Sequence, residues 1–292
     1  MTLRRTRPTI PFADMFGDIV LCEFPFTHFR VGAVTFALIS LWLLPNPEER
    51  TLYDPGQDSA VIGICFALNA LGVDGRGQTN IVDGWTVVVN ERLLAEEKAA
   101  TDKALEILRG QLREIVRVVP APAVAKLQEV TLWFSPEYPG VKPRAEYHPG
   151  AGWLRENGRD PAMVKGIEFT DIRNFEAEAR RMPNFTLHEL AHAYHHRVLP
   201  GGFDNAQIKA AFERAKASKS YDKVERWFGN GKPNTFECSY AMTNPQEYFA
   251  ESTEAYFARN DFFPFTREEL KRHDPEMEEL LSTLWGVTAA SR

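Results

Sequence analysis

The sequence predicts an α/β (α+β) domain over residues 81–292, a small mixed sheet followed by a mostly helical C-terminal half. Short β-rich runs, Trp85-Thr86-Val87-Val88-Val89, Val130-Thr131-Leu132-Trp133-Phe134 and Gly166-Ile167-Glu168-Phe169-Thr170, alternate with a helical stretch and with loops. From Asn184 onward, four segments carry helical patterns with start and stop signals. At 292 residues and 44% hydrophobic content the chain has the material for a packed core, which excludes a disordered protein.

Residues 1–80 read as an N-terminal segment of uncertain order, because Pro8, Pro11, Pro25, Pro45, Pro47 and Pro55 interrupt any long element. Its apolar runs, Val31 to Leu44 and Ser59 to Leu71, fall short of the roughly 18 residues a spanning helix needs. No stable membrane span is expected. The first run has the length of an export-signal core, yet it sits behind a long leading stretch with no A-x-A site. Export signal and buried core segment therefore stand as alternatives, and localisation stays open between secreted or envelope-associated and cytoplasmic. The stretch Gly72 to Gly77 has no strand before it and no helix after it, so it does not count as a nucleotide loop.

After the first strand, Glu91 to Val118 reads as one amphipathic helix covering the sheet, with Leu94, Leu105, Leu108, Leu112, Ile115 and Val116 largely at helical spacings. Pro120 and Pro122 stop it. Pro136 to Arg159, dense in Gly, Pro and aromatic residues, reads as loops with a short strand at Gly152 to Arg155. Gly166 to Thr170 is the last strand, directly ahead of the helices Asn184 to Leu199, Asn205 to Ser218, Pro245 to Arg259 and Arg267 to Leu284.

A net charge of −6 with both signs interspersed offers no basic patch, so nucleic acid is not an expected partner. Cys22, Cys65 and Cys238 are far apart with no C-x-x-C pair, and neither demand nor exclude an oxidising compartment. Cys238 reads as a small core or loop residue.

His188-Glu189-Leu190-Ala191-His192 carries the chemistry. Residues four apart lie on one helical face, so His188 and His192 can reach one tetrahedral ion while Glu189 projects beside them. A bound ion lowers the pKa of a water ligand, and a neighbouring carboxylate can then act as general base. Asn184 suits the N-cap and Leu199-Pro200-Gly201-Gly202 supplies a stop. Two histidines on a plain helix are the bland reading, since such a pattern arises by chance on the order of once per hundred proteins.

Two imidazoles leave the ion in want of a third protein ligand. The extended pattern H-E-x-x-H-x-x-G-x-x-H would need Gly at His195 and His at Val198, so it fails. In Asn244-Pro245-Gln246-Glu247-Tyr248-Phe249-Ala250-Glu251 two glutamates stand four apart. Glu247 can bind the metal while Glu251 accepts the free ring N–H of a ligating histidine. The competing explanation is local: Asn244 as N-cap, Pro245 at N1 and Glu247 at N3 make a capping-box sequence.

With these residues in view, the chain resembles gluzincin zinc metallopeptidases of the anthrax lethal factor type, which include the clostridial Pro-Pro endopeptidases. The resemblance rests on His188-Glu189-x-x-His192, on Glu247-Tyr248-Phe249-Ala250-Glu251, and on Tyr240 seven residues ahead of Glu247, and it covers roughly residues 184–260. It implies a zincin-like metallopeptidase domain, zinc as cofactor, a peptide or protein substrate, and Tyr240 as donor to the oxyanion. It also implies an edge strand that pairs with extended substrate, for which Gly166 to Thr170 is the candidate.

The remaining polar residues have blander readings. His195 could serve as another ligand or support one, but His195 and His196 read as ordinary last-turn residues whose cationic forms suit the helix dipole. Glu254 reads as a solvated charge, and His148 could line the cleft. A non-catalytic zinc protein, or a zinc hydrolase acting on a non-peptide amide or on peptidoglycan, is the alternative function.

Overall fold

The structure, a computed structural model, describes residues 77–287. The readings made for the two apolar runs, for Cys22 and Cys65 and for nearly all of the Gly72 to Gly77 stretch lie outside the described residues.

The chain enters as a hairpin, β1 (Gly77–Val82) and β2 (Trp85–Asn90), turning through Asp83 and Gly84 at φ of 48° and 97°. Two successive positive φ values suit a two-residue hairpin turn, and Asp-Gly is the dipeptide that adopts them. Gly77 to Asn80, assigned from sequence to the irregular N-terminal segment, thus belong to the sheet. The long helix expected next is two, α1 (Glu91–Glu96) and α2 (Lys98–Val118), broken at Glu97, where φ is −132°. Pro120 and Pro122 end α2 but also start α3 (Ala121–Leu127): Pro120 is its N-cap and Pro122 lies in its first turn, where a missing N–H costs nothing.

Next come β3 (Leu132–Phe134), β4 (Ala145–Tyr147), α4 (Ala151–Glu156) and β5 (Ile167–Phe169). Gly152 to Arg155, read as a short strand, is therefore helical. After α5 (Phe175–Arg181), which separates the last strand from the motif helix, α6 (Phe185–Arg197) carries both histidines. Then follow α7 (Ala206–Ser218), a hairpin of β6 (Val224–Arg226) and β7 (Thr235–Glu237), and α8 (Pro245–Phe257). The expected helix from Arg267 to Leu284 is split by Asp274-Pro275 into α9 (Arg267–His273) and α10 (Pro275–Leu284).

The fold is mixed α/β with a small mixed sheet of order β1-β2-β3-β5-β4, in which β2, β3 and β5 run parallel and the two outer strands antiparallel. Gly166 to Thr170 is consequently not an edge: β5 lies between β3 and β4, and Ile167, Glu168 and Phe169 are all buried. The edge beside the motif helix is β4. Its bonds to β5 use Arg144 and His148, so the alternating backbone groups of Ala145 and Tyr147 face outward.

The apolar core includes Val87, Val89, Leu132, Phe134, Ile167 and Phe169 from the sheet, together with Leu108, Leu112 and Ile115 of α2 and Leu187, Leu190 and Ala191 of α6. Phe175 and Phe185 pack edge-on at 4.7 Å, and Phe169 meets Phe185 at 6.0 Å, so the start of α6 is wedged against the sheet by aromatic rings. Gln111 on α2 donates to Pro183 O (3.0 Å) and accepts from Thr186 Oγ1 (2.5 Å), fixing the same end by hydrogen bonds. Every residue from Phe185 to His195 except Glu189 is buried, which makes α6 the central helix. Among the described residues no helix is long and apolar enough to cross a membrane.

Candidate metal centre

The two site helices start where their caps place them. Asn184 accepts from Leu187 N–H at 3.1 Å and Asn244 from Glu247 N–H at 2.8 Å. The capping box that would have explained Glu247 without a metal is only half made: its backbone is capped, but its carboxylate turns toward α6.

There Glu247 Oε2 lies 3.1 Å from His188 Nε2 and 3.4 Å from His192 Nε2, and the two ring nitrogens are 3.2 Å apart. Donors bound to one tetrahedral ion at about 2.0–2.1 Å stand about 3.3 Å from one another. Both ring nitrogens can donate to Glu247, and their own approach to 3.2 Å completes a set of three atoms at the spacing of a shared ion. His188 Nδ1 is turned to Glu254 at 2.6 Å, which leaves Nε2 as the ring atom that faces Glu247 and His192. The residues fit a divalent cation held by two nitrogens and one oxygen, and His188, His192 and Glu247 are one of two groupings among the described residues that could hold a metal.

Electrostatics favour positive charge at this point. Burial opposes protonation of His188, but hydrogen bonds to Glu247 and Glu254 outweigh it and raise its pKa well above the ordinary imidazole value. Burial likewise opposes the charged form of Glu247, yet its bonds to His188 and His192 hold its carboxyl well below the usual range. The charges that would keep a proton on His188 are equally suited to a metal ion.

Glu251 does not take the role expected of it. Its nearest oxygen is 3.7 Å from His188 Nδ1, whereas Glu254 Oε1 is at 2.6 Å. Glu254 is not a solvated charge either; it is fully buried, near the end of α8. Residue 254, seven positions after Glu247, faces the imidazole more squarely than residue 251 does, and only the packing decides between them. The second grouping, His188, Glu251 and Glu254, gathers at the Nδ1 side of the same ring. Burial raises the pKa of both carboxyls; the charge of Glu254 adds to the rise at Glu251, while the hydrogen bond to His188 works against it at Glu254.

Glu189 projects into a cleft of about 680 Å³ that also exposes His188, His192, Glu247 and Tyr240. Its Oε2 accepts the outward N–H of Tyr147 on β4 at 2.8 Å. The edge strand thereby holds the carboxylate. Tyr240, 48% exposed in a single 3-10 turn ahead of α8, lines the same cleft. Burial and then Glu247 raise the pKa of its hydroxyl, keeping it a proton-bearing donor.

The other histidines are not cationic helix-end groups. His195 is fully buried between Phe203 and Phe249, with neither ring nitrogen hydrogen-bonded, and burial followed by His192 and His196 lowers its pKa to about 4. His196 stacks on Phe203, shares a 2.8 Å hydrogen bond with Tyr147 Oη, and has its pKa lowered by burial. His148 is buried away from the cleft, 3.0 Å from Glu168 and stacked on Trp153. Cys238 is an exposed free thiol. Sequence reasoning passed over Glu254, whose helical register with Glu247 was the available signal, and Tyr147, for which a backbone role left no signal.

Compared with protein-family models, with curated proteins and with solved structures, the chain gives no match in any of the three.

Proposed function

We propose that the chain is a zinc-dependent peptidase of zincin-like fold, similar in its active-site residues to gluzincin endopeptidases, with His188, His192 and Glu247 as ligands. The single observation that carries this reading is the triangle of donor atoms 3.1–3.4 Å apart at the base of an open cleft, with a carboxylate beside it. Two nitrogens and one oxygen suit zinc and leave a fourth position open. Zinc bound there would supply Lewis-acid chemistry, polarising the scissile carbonyl and making water acidic enough to attack it.

The chain's own residues account for the rest. Glu189 takes the proton of the attacking water and returns it to the leaving amine, and its bond from Tyr147 N–H holds the accepting carboxylate in place. Tyr240 donates its hydroxyl to the developing oxyanion. An extended peptide adds to β4, where the free backbone groups of Ala145 and the carbonyl of Tyr147 face the cleft, a role moved here from Gly166 to Thr170.

Metal content by elemental analysis, together with cleavage of a peptide library by the wild type and by Glu189→Gln, tests the reading. One zinc per chain and cleavage abolished in the glutamine variant are expected. Retained cleavage would refute Glu189 as the base, and bound zinc with no cleavage of any peptide would favour a non-catalytic site.

A further inference from the structure

Most carboxylates that line the cleft have a cation or a ring nitrogen beside them. Glu146 is met by Arg144 and Arg159, Glu178 by Arg181, and Asp261 by Arg181 and Arg226, while Glu247 and Glu251 lie next to His188. Glu189 has the Tyr147 N–H. Asp171 differs. It is only 2% exposed, its Oδ1 has no hydrogen-bond partner, and it takes part in no ion pair among the described residues. It sits just after β5 in the cleft wall, close enough to Glu189 and Glu178 to feel both as repelling charges. Arg144 and Lys142 are close by on the neighbouring strand, where Arg144 pairs with Thr170 through its backbone, but Arg144 is spent on Glu146 at 2.6 Å, Lys142 is exposed, and neither forms an ion pair with Asp171.

A buried carboxylate without a counterion is costly unless something supplies one. Burial, then Glu178 and Glu189, raises the Asp171 carboxyl to about 6, so it is still largely ionised at neutral pH. Met182 and Phe185, which lie in the chain between its two acidic neighbours Glu178 and Glu189, line the same cleft. That combination, apolar sides with an unpaired acid in the wall, matches a long alkyl chain ending in a cation.

We infer that Asp171 is a specificity-determining residue, forming with Met182 and Phe185 a subsite for a lysine or arginine side chain of the substrate near the scissile bond. The inference rests on the peptidase reading for its substrate, but its test reads binding as well as turnover.

Fluorescein-labelled peptides differing only in lysine, norleucine or glutamate at one position are titrated at pH 7.5 into Glu189→Gln protein, with and without Asp171→Asn, and unlabelled versions are offered to the wild type for cleavage. Lysine should bind about tenfold tighter than norleucine, with glutamate weakest, and Asp171→Asn should bring lysine and norleucine together. Equal binding of lysine and norleucine at every position scanned, or a lysine preference left intact in Asp171→Asn, overturns the subsite. Should that variant fail to fold, the ranking of the three peptides on the Asp171-containing protein still decides. A lysine preference without cleavage leaves the subsite standing and removes the peptidase reading; cleavage without the preference does the reverse.

Discussion

Nδ1 of His188 lies 2.6 Å from Oε1 of Glu254, while Glu251, one turn closer to Glu247, stands at 3.7 Å. The outer nitrogen of a ligating imidazole needs an acceptor to fix its tautomer and strengthen its ligand nitrogen. Glu254→Gln should therefore raise the zinc dissociation constant ten- to a hundredfold, and Glu251→Gln should change it several times less. Competition against a chromophoric chelator measures both. Equal effects, or a larger effect at Glu251, would return the supporting role to the residue four positions from Glu247.

In the proposed reaction Tyr240 supplies a donor that is needed only as negative charge develops on the scissile oxygen. Tyr240→Phe should lower kcat by about a hundredfold with KM nearly unchanged, the signature of an interaction made in the transition state. Zinc content should stay at the wild-type level, since the proposed ligands are His188, His192 and Glu247. A variant that loses zinc, or that raises KM alone, would assign the tyrosine to structure or to uniform binding.

Much of the site was legible because it is written locally. His188 and His192 are one turn apart, Asn184 and Asn244 announce the helix starts, and each of these caps forms. Glu247 required a meeting of distant helices, which spacing suggests but does not fix. What stayed hidden depends on sheet order and packing. Whether Gly166 to Thr170 is an edge is decided by where β4 pairs, and Ala145-Glu146-Tyr147 is too short to show a strand period. The first strand was missed because Gly77 to Asn80 is polar, although Asp83-Gly84 was the hairpin signal. Asp274-Pro275 looked like the interior of one helix, but aspartate caps the second of two.

Glu168 is the buried hub of a polar cluster behind β5, accepting from Tyr138 at 2.8 Å, meeting His148 at 3.0 Å and pairing with Arg159. Burial works against its charge, but hydrogen bonds from His148, Ser135 and Tyr138 and the charge of Arg159 outweigh it and bring its pKa from 4.5 to about 2. A depressed carboxyl contributes stability that is present above the unfolded value and lost as pH falls through the folded one. The window is therefore about pH 4.5 down to 2, and the contribution about 3 kcal/mol. Urea unfolding of wild type and Glu168→Gln should show a gap of that order at pH 7 that narrows below pH 4. Parallel pH profiles would show that the cluster does not depend on the ionised carboxylate.

His195 presents the opposite case, a buried imidazole whose two nitrogens have no partner and whose folded pKa is about 4. The native state needs it neutral, while the unfolded chain takes up a proton near the ordinary value of about 6.5. Stability is consequently drained as pH falls from about 6.5 toward 4, by about 1.4 kcal/mol for each unit in that window. Leucine is close in volume and leaves no polar atom between Phe203 and Phe249. His195→Leu should stabilise the protein by about 1 kcal/mol at pH 8 and by two to three times as much at pH 5, a difference of several degrees in Tm. A gain that is the same at both pH values would mean that unpaired nitrogens alone make the histidine costly. A loss of stability together with weaker zinc binding would mean that His195 supports His192 through the helix, a role its present surroundings of two phenylalanine rings do not suggest.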